Sequence, residues 1–189
     1  MTRRGLTEKV LTNAMQKRDN NSVSLAGEFA VLSQLVLNGY DANKTLGRTK
    51  GVDILVSHHE TMKMYKLEVK TKYRTSRKKL SISKVYGKVL GQWIMDKKHE
   101  SLVDPPLFYC FVMICEPTSS FEFYIVPSRV VARYVAEQHK YCLRKKRKEG
   151  KKVADTRMRA FRMGFKGHKY GVVTPVSETY QNNWEFRES

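Results

Sequence analysis

The chain has 189 residues, with 36 Lys or Arg against 18 Asp or Glu, a formal charge of +18 and a sequence pI near 9.9. Such a surplus exceeds what solubility needs and points to a polyanionic partner, nucleic acid before membrane. No run approaches the ~18 apolar residues of a bilayer span, the start MTRRGLTEKV lacks the apolar core of a secretory signal, and Cys110, Cys115 and Cys142 are odd in number with no CxxC, so the reading is a cytoplasmic protein with reduced thiols.

One domain is expected at this length. Residues 1–21 form an extension ahead of the first periodic segment. SVSLAGEFAVLSQLVLNGY (22–40) predicts a helix ended by Gly39, with Leu25, Phe29, Leu32, Leu35 and Val36 as its buried stripe. Glu28 falls inside that stripe; taken alone it is a stripe-edge glutamate whose carboxylate snorkels to water. A short strand near 41–46 follows, then a hairpin over 52–73.

In that hairpin Val52, Ile54 and Val56 alternate with polar or small residues, and so do Tyr65, Leu67 and Val69. A turn at Glu60–Thr61 sets Val56 opposite Tyr65, Ile54 opposite Leu67 and Val52 opposite Val69. Every pair on that face is apolar, which selects the register, because a one-residue slip would turn one strand's apolar face outward. Asp53 then lies opposite Glu68, with Cβ atoms roughly 4.5–5.5 Å apart, and Lys70 follows about 7 Å along the same face. Sheets avoid like charges directly opposite. A divalent cation held by oxygen ligands, Mg²⁺ or Mn²⁺, would remove the conflict; solvated surface acids neutralised by neighbouring lysines are the alternative.

SKVYGKVLGQWIMDKKHE (83–100) predicts a second helix despite Gly87 and Gly91. LFYCFVMI (107–114) and FEFYIVP (121–127) predict strands, the first almost without polar residues and so central and buried on both faces. A third helix is predicted from Ser128 to about Glu149, and the end of the chain adds a strand at 171–174 and docks Trp184 and Phe186. The layout is α/β with a mixed sheet: a core over 22–140 and a basic C-terminal extension over 141–189 packed on the same domain. His139 and Cys142 share a helix face, but no second ligand pair accompanies them, so zinc is not expected.

Two segments hold the surplus charge. Lys140–Lys169 carries 13 Lys or Arg against two acids, and Lys63–Lys84 carries nine against one. The first could be a solvated helix end. The second begins on the Glu68 strand and continues through KYRTSRKKLS, so cations surround the acids and would bring a phosphate backbone to carboxylates that otherwise repel it.

Together the "GE" at 27–28, "GVD" at 51–53 and "LEVK" at 67–70 resemble the PD-(D/E)xK nuclease superfamily; the helix followed by "NGY" (38–40) is also similar to archaeal Holliday junction resolvases. Gly51-Val52 stands where Pro-Asp is often found. The resemblance implies a restriction endonuclease-like mixed central sheet flanked by helices, and metal-dependent hydrolysis of DNA phosphodiester bonds. It implies that Glu28, Asp53, Glu68 and Lys70 are catalytic. Asp53, Glu68 and the Val69 carbonyl would bind Mg²⁺, for which Mn²⁺ can substitute, and Lys70 would orient or deprotonate the attacking water. Lys72, Arg74, Arg77, Lys78, Lys79, Lys145, Lys146, Arg147 and Lys148 are the candidate nucleic-acid contacts. DNA, double-stranded or branched, is the expected partner, and a homodimer the expected assembly. A junction resolvase-type nuclease and a non-catalytic DNA-binding protein on a nuclease fold are the alternatives.

Overall fold

The computed structural model describes residues 19–45, 51–74, 81–83, 86–166 and 171–188. Helix α1 (Asn20–Leu37) begins where the Asp19 carboxylate accepts the Ser22 N–H at 3.0 Å, a side-chain N-cap. It ends before Gly39, whose φ of 80° is the left-handed conformation glycine adopts without strain. The buried stripe differs from the predicted one. Gly27, Val31 and Leu35 are buried, whereas Leu25, Phe29 and Val36 are exposed. The reason is a close approach: a Cβ on Gly27 would sit 1.8 Å from Thr71 Oγ1. The helix docks on its smallest residue and turns larger apolar ones outward.

Strands β1 (Tyr40–Lys44), β2 (Ile54–His58) and β3 (Lys63–Arg74) form an antiparallel meander. The register is the expected one, with Ile54 opposite Leu67 and Val56 opposite Tyr65. Segment 83–100, predicted as helix, is instead strand β5 (Gly87–Asp96) followed by a 3₁₀ turn (Lys97–Glu100), with the short β4 (Ser81–Ser83) before it. Gly91, Trp93 and Met95 are buried while Gln92 and Ile94 are not, a period of two. A Cβ on Gly91 would lie 2.8 Å from Met113, so close packing on the neighbouring sheet uses the glycine that a helix interior would tolerate poorly.

Strands β6 (Leu107–Cys115) and β7 (Ser120–Pro127) and helix α2 (Ser128–Lys148) follow, close to their expected bounds. Strand β8 (Met158–Gly164) has no counterpart among the predicted elements, because Arg159 and Arg162 break up its apolar pattern. The segment 171–174 is not a strand. A short helix α3 (Ser177–Tyr180) comes after it. The main sheet runs β1-β2-β3-β6-β7, antiparallel except for β3 beside β6, and β4-β5-β8 form a second, antiparallel sheet.

All nine residues of β6 are buried. Phe108, Cys110 and Val112 face α1, together with Ile54, Val56, Leu67, Val69, Trp184 and Phe186. Tyr109, Phe111 and Met113 face α2 and the second sheet, where Phe111 stacks on Phe161 at 4.2 Å. The result is an α/β molecule whose mixed five-stranded sheet has helices on its flanks. Among the described residues no helix is long and apolar enough to cross a membrane.

Candidate active site

The site forms where two strands part. β2 leaves its ladder with β3 at Ile54↔Leu67, while β3 continues beside β6 to Arg74. Asp53 stands at this fork, just outside the ladder, so the expected direct pairing of Asp53 with Glu68 is replaced by a different geometry. Its N–H donates to the Leu67 carbonyl at 2.8 Å, its carbonyl accepts the Thr45 N–H at 2.9 Å, and its Oδ2 accepts the Val69 N–H at 2.7 Å. The carboxylate thus caps the β3 edge that β2 has left. Since N–H and C=O of one residue point to the same side of a strand, the Val69 carbonyl shares that edge.

Burial pushes the Asp53 carboxyl above its ordinary range. The Val69 hydrogen bond and Lys70 pull it down, and the charges of Glu28 and Glu68 push it up. Two further carboxylates therefore act on Asp53. Glu28 is brought to the fork by the Gly27–Thr71 contact and pairs with Lys44 at 2.7 Å. Glu68 is 3 % exposed. Its Oε1 lies 2.6 Å from Lys70 Nζ, while its Oε2 is buried without a hydrogen-bond partner. Oε2 lies 3.3 Å from where a Gly51 Cβ would be, and Lys98 Nζ lies 3.8 Å from the same point. Gly51 has a φ of 79°, and it meets the carboxylate without a side chain of its own.

Two residues without a sequence signal stand on the far side of Glu68. His99, on the 3₁₀ turn, places Nε2 3.7 Å from Glu68 Oε1 and Nδ1 2.7 Å from the Tyr109 hydroxyl. Burial keeps the His99 pKa below its usual value, against the pull of Glu68. Burial raises Tyr109, and Glu68 raises it further. Tyr109 is level with Glu68 in the parallel β3–β6 register. A strand over 87–96 puts His99 just past its end, but no local pattern marks it.

The residues suit a hard divalent cation in chemistry: Asp53 Oδ1 accepts no hydrogen bond from the described residues, Glu68 Oε2 is an orphan, and a backbone carbonyl lies on their edge. A buried carboxylate oxygen left bare costs about 1–3 kcal/mol or more, which a cation would offset. The donors are two carboxylates and a carbonyl; no three His, Cys, Asp or Glu side chains gather into a ready cage among the described residues. Of the pair on the α2 face, His139 bonds Asp155 at 2.8 Å and Cys142 lies 2.7 Å from the Tyr86 hydroxyl.

The other candidate contacts are scattered. Lys72 Nζ donates to the Gln92 carbonyl at 3.0 Å, and Arg74 pairs with Glu122 at 3.2 Å. Arg77, Lys78 and Lys79 lie outside the described residues. Lys145, Lys146, Arg147 and Lys148 are exposed on the last turn of α2.

No protein-family model and no curated protein matches the sequence. Among solved structures the chain is similar to a bacterial homing endonuclease at 15 % identity, over 89 % of this chain and 91 % of that one, with a TM-score of 0.48.

Proposed function

We propose that this chain is a metal-dependent endonuclease of the PD-(D/E)xK, restriction endonuclease-like type, hydrolysing DNA phosphodiester bonds. The observation that carries the reading is the Glu68 carboxylate: buried, bound to Lys70 through one oxygen, bare at the other, and within the electrostatic reach of Asp53. A buried acid left open in this way suits a ligand better than a scaffold. The charge of +18 supports a nucleic-acid substrate.

Asp53, Glu68 and the Val69 carbonyl would hold Mg²⁺, or Mn²⁺ in its place. When bound, such an ion polarises a phosphoryl oxygen and lowers the pKa of a coordinated water. Lys70 Nζ, already drawn to Glu68, orients the attacking water and stabilises charge gathering on the phosphate. Glu28, held by Lys44, adds negative potential at the fork. Lys72 and the cations at the end of α2 draw in the backbone. Cleavage of both strands calls for two sites, and the reading accordingly includes a homodimer.

One panel tests this: supercoiled plasmid, linear duplex, single strand and a four-way junction, each with Mg²⁺ or EDTA. Metal-dependent cuts leaving 5′-phosphates are expected. Preference for plasmid and duplex marks a restriction-type enzyme, and preference for the junction a resolvase-type one. DNA binding without any cleavage in Mg²⁺ or Mn²⁺ would leave a DNA-binding protein and sink the proposal.

A further inference from the structure

Glu68 has a structured neighbour that the catalytic reading does not use. His99 and Tyr109 are both buried, their polar atoms are 2.7 Å apart, and the pair ends at Glu68 Oε1. A neutral imidazole carries one N–H, which leaves two arrangements. Tyr109 can donate to Nδ1, which sets the Nε2 proton toward Glu68. Alternatively Nδ1 donates to Tyr109, whose own O–H then turns to Glu68. In the first, the Nε2 proton faces Oε1 across 3.7 Å, an electrostatic contact longer than a hydrogen bond; in the second, the Tyr109 hydroxyl is the group turned to the carboxylate. Lys70 Nζ and His99 Nε2 both lie on the Oε1 side, and Oε2 has no hydrogen-bond partner.

We infer that His99 and Tyr109 form a positioning pair that fixes the Glu68 carboxylate with Oε2 presented for a divalent cation. This rests on the proposed function. Partners behind a ligating carboxylate typically change metal affinity or activity by about 10–100-fold when removed. His99 reaches the site from the 3₁₀ turn after β5 and Tyr109 from the centre of β6, so the pair also ties the second sheet to the fork. Neither residue touches the reacting atoms.

The test is a calorimetric titration of Mn²⁺ into wild type, His99→Ala, His99→Gln, Tyr109→Phe and the Ala/Phe double variant, with DNA affinity in EDTA and cleavage measured alongside. Tyr109→Phe removes one oxygen and keeps the ring, so it stays informative if His99→Ala fails to fold. Expected are a roughly tenfold or greater loss of Mn²⁺ affinity in His99→Ala and Tyr109→Phe, partial recovery in His99→Gln through its amide donor, and unchanged DNA affinity. The double variant should be little worse than the weaker single, because the two act as one chain. Wild-type Mn²⁺ affinity in a folded Tyr109→Phe overturns the inference, whatever the cleavage assay gives. Wild type that binds Mn²⁺ with this variant pattern yet cuts no DNA overturns the nuclease reading and leaves the pair standing. A wild type that binds no Mn²⁺ overturns both.

Discussion

Two ionic clusters, each with a buried charged group, meet at the 3₁₀ turn, and they are built on opposite principles. Glu100 of that turn belongs to the cluster of Arg159, whose side chain is 1 % exposed. Arg159 donates to Glu100 at 2.5 Å, to Asp155 at 3.0 Å and to the carbonyls of Thr156 and Met158. Lys97 and His139 close the far side of Asp155. Opposite charges alternate there and every charged group is answered, which is the condition under which a buried ion pair can serve a scaffold. His99 of the same turn belongs to the other cluster. There the like charges of Glu28 and Glu68 both bear on Asp53, and a buried Glu68 oxygen has no donor. A closed cluster holds elements together; under the proposed function, the open one is arranged for a metal ion.

The largest expected effect breaks the open cluster. Asp53→Asn keeps an oxygen for the Val69 N–H but removes a ligand charge. Cleavage should fall by more than about 10³-fold, beyond the loss of a single positioned donor. The melting temperature in EDTA should hold or rise, since repulsion is relieved. Cleavage by this variant at the wild-type rate would refute the assignment.

Lys70→Met should lower cleavage by roughly 10²–10³-fold while Mn²⁺ still binds by calorimetry. A variant that no longer binds the ion would recast Lys70 as structural.

Arg159→Met probes the closed cluster. It should cost about 2–3 kcal/mol in denaturant unfolding, below the roughly 3–5 kcal/mol typical of a broken buried pair, because Glu100 and Asp155 can reach water. Metal-dependent cleavage below the melting temperature should be unchanged; an inactive but folded variant would erase the distinction between the clusters.

The two aspartates should also respond to pH with opposite signs. Asp155 is held down to about 2 by its hydrogen bonds to His139 and Lys97. It contributes stability that is full above its ordinary 3.8 and is lost as pH falls through about 2. Asp53 is raised by burial. Its contribution is full below 3.8 and is lost as pH rises through the raised value. Thermal melts in EDTA from about pH 2 to 6 should therefore show Asp155→Asn losing its disadvantage as pH falls, and Asp53→Asn gaining on wild type as pH rises. Gaps that do not change with pH would contradict the assigned shifts.

The smallest effect concerns a region outside both clusters. Replacing Lys145, Lys146, Arg147 and Lys148 with Gln should flatten the slope of log K against log salt by roughly 2, about 0.9 for each phosphate that is no longer neutralised. Binding should weaken alike for all sequences. An unchanged slope in an anisotropy titration would show that this helix end is only solvated.

How far the site is legible in the sequence varies residue by residue. The charges of Glu28, Glu68 and Lys70 all bear on Asp53, but Asp53 is tied to β3 through the Val69 N–H and is not a ladder partner of Glu68. Lys72 and Arg74 find protein partners that no spacing rule names. His99 and Tyr109 are invisible because one lies near the end of a segment read as a helix and the other lies in a strand with an almost purely apolar look.

What the sequence determined by itself are features whose cause is local. The hairpin register follows from period-two alternation, in which a slip exposes a whole face. The burial of β6 follows from nine residues with no charge among them, and the extent of α2 from sustained helical periodicity. Tertiary structure decided what depends on close approach between distant segments. Gly27 against Thr71 chose the face of α1, and Gly91 against Met113 favoured strand over helix. Tyr109 brought beside His99 and Glu68 turned an alternating polar position into a buried carboxylate with one oxygen bare. A glycine's missing side chain and a carboxylate's missing partner leave no periodic signal, because each is defined by an atom on another part of the chain.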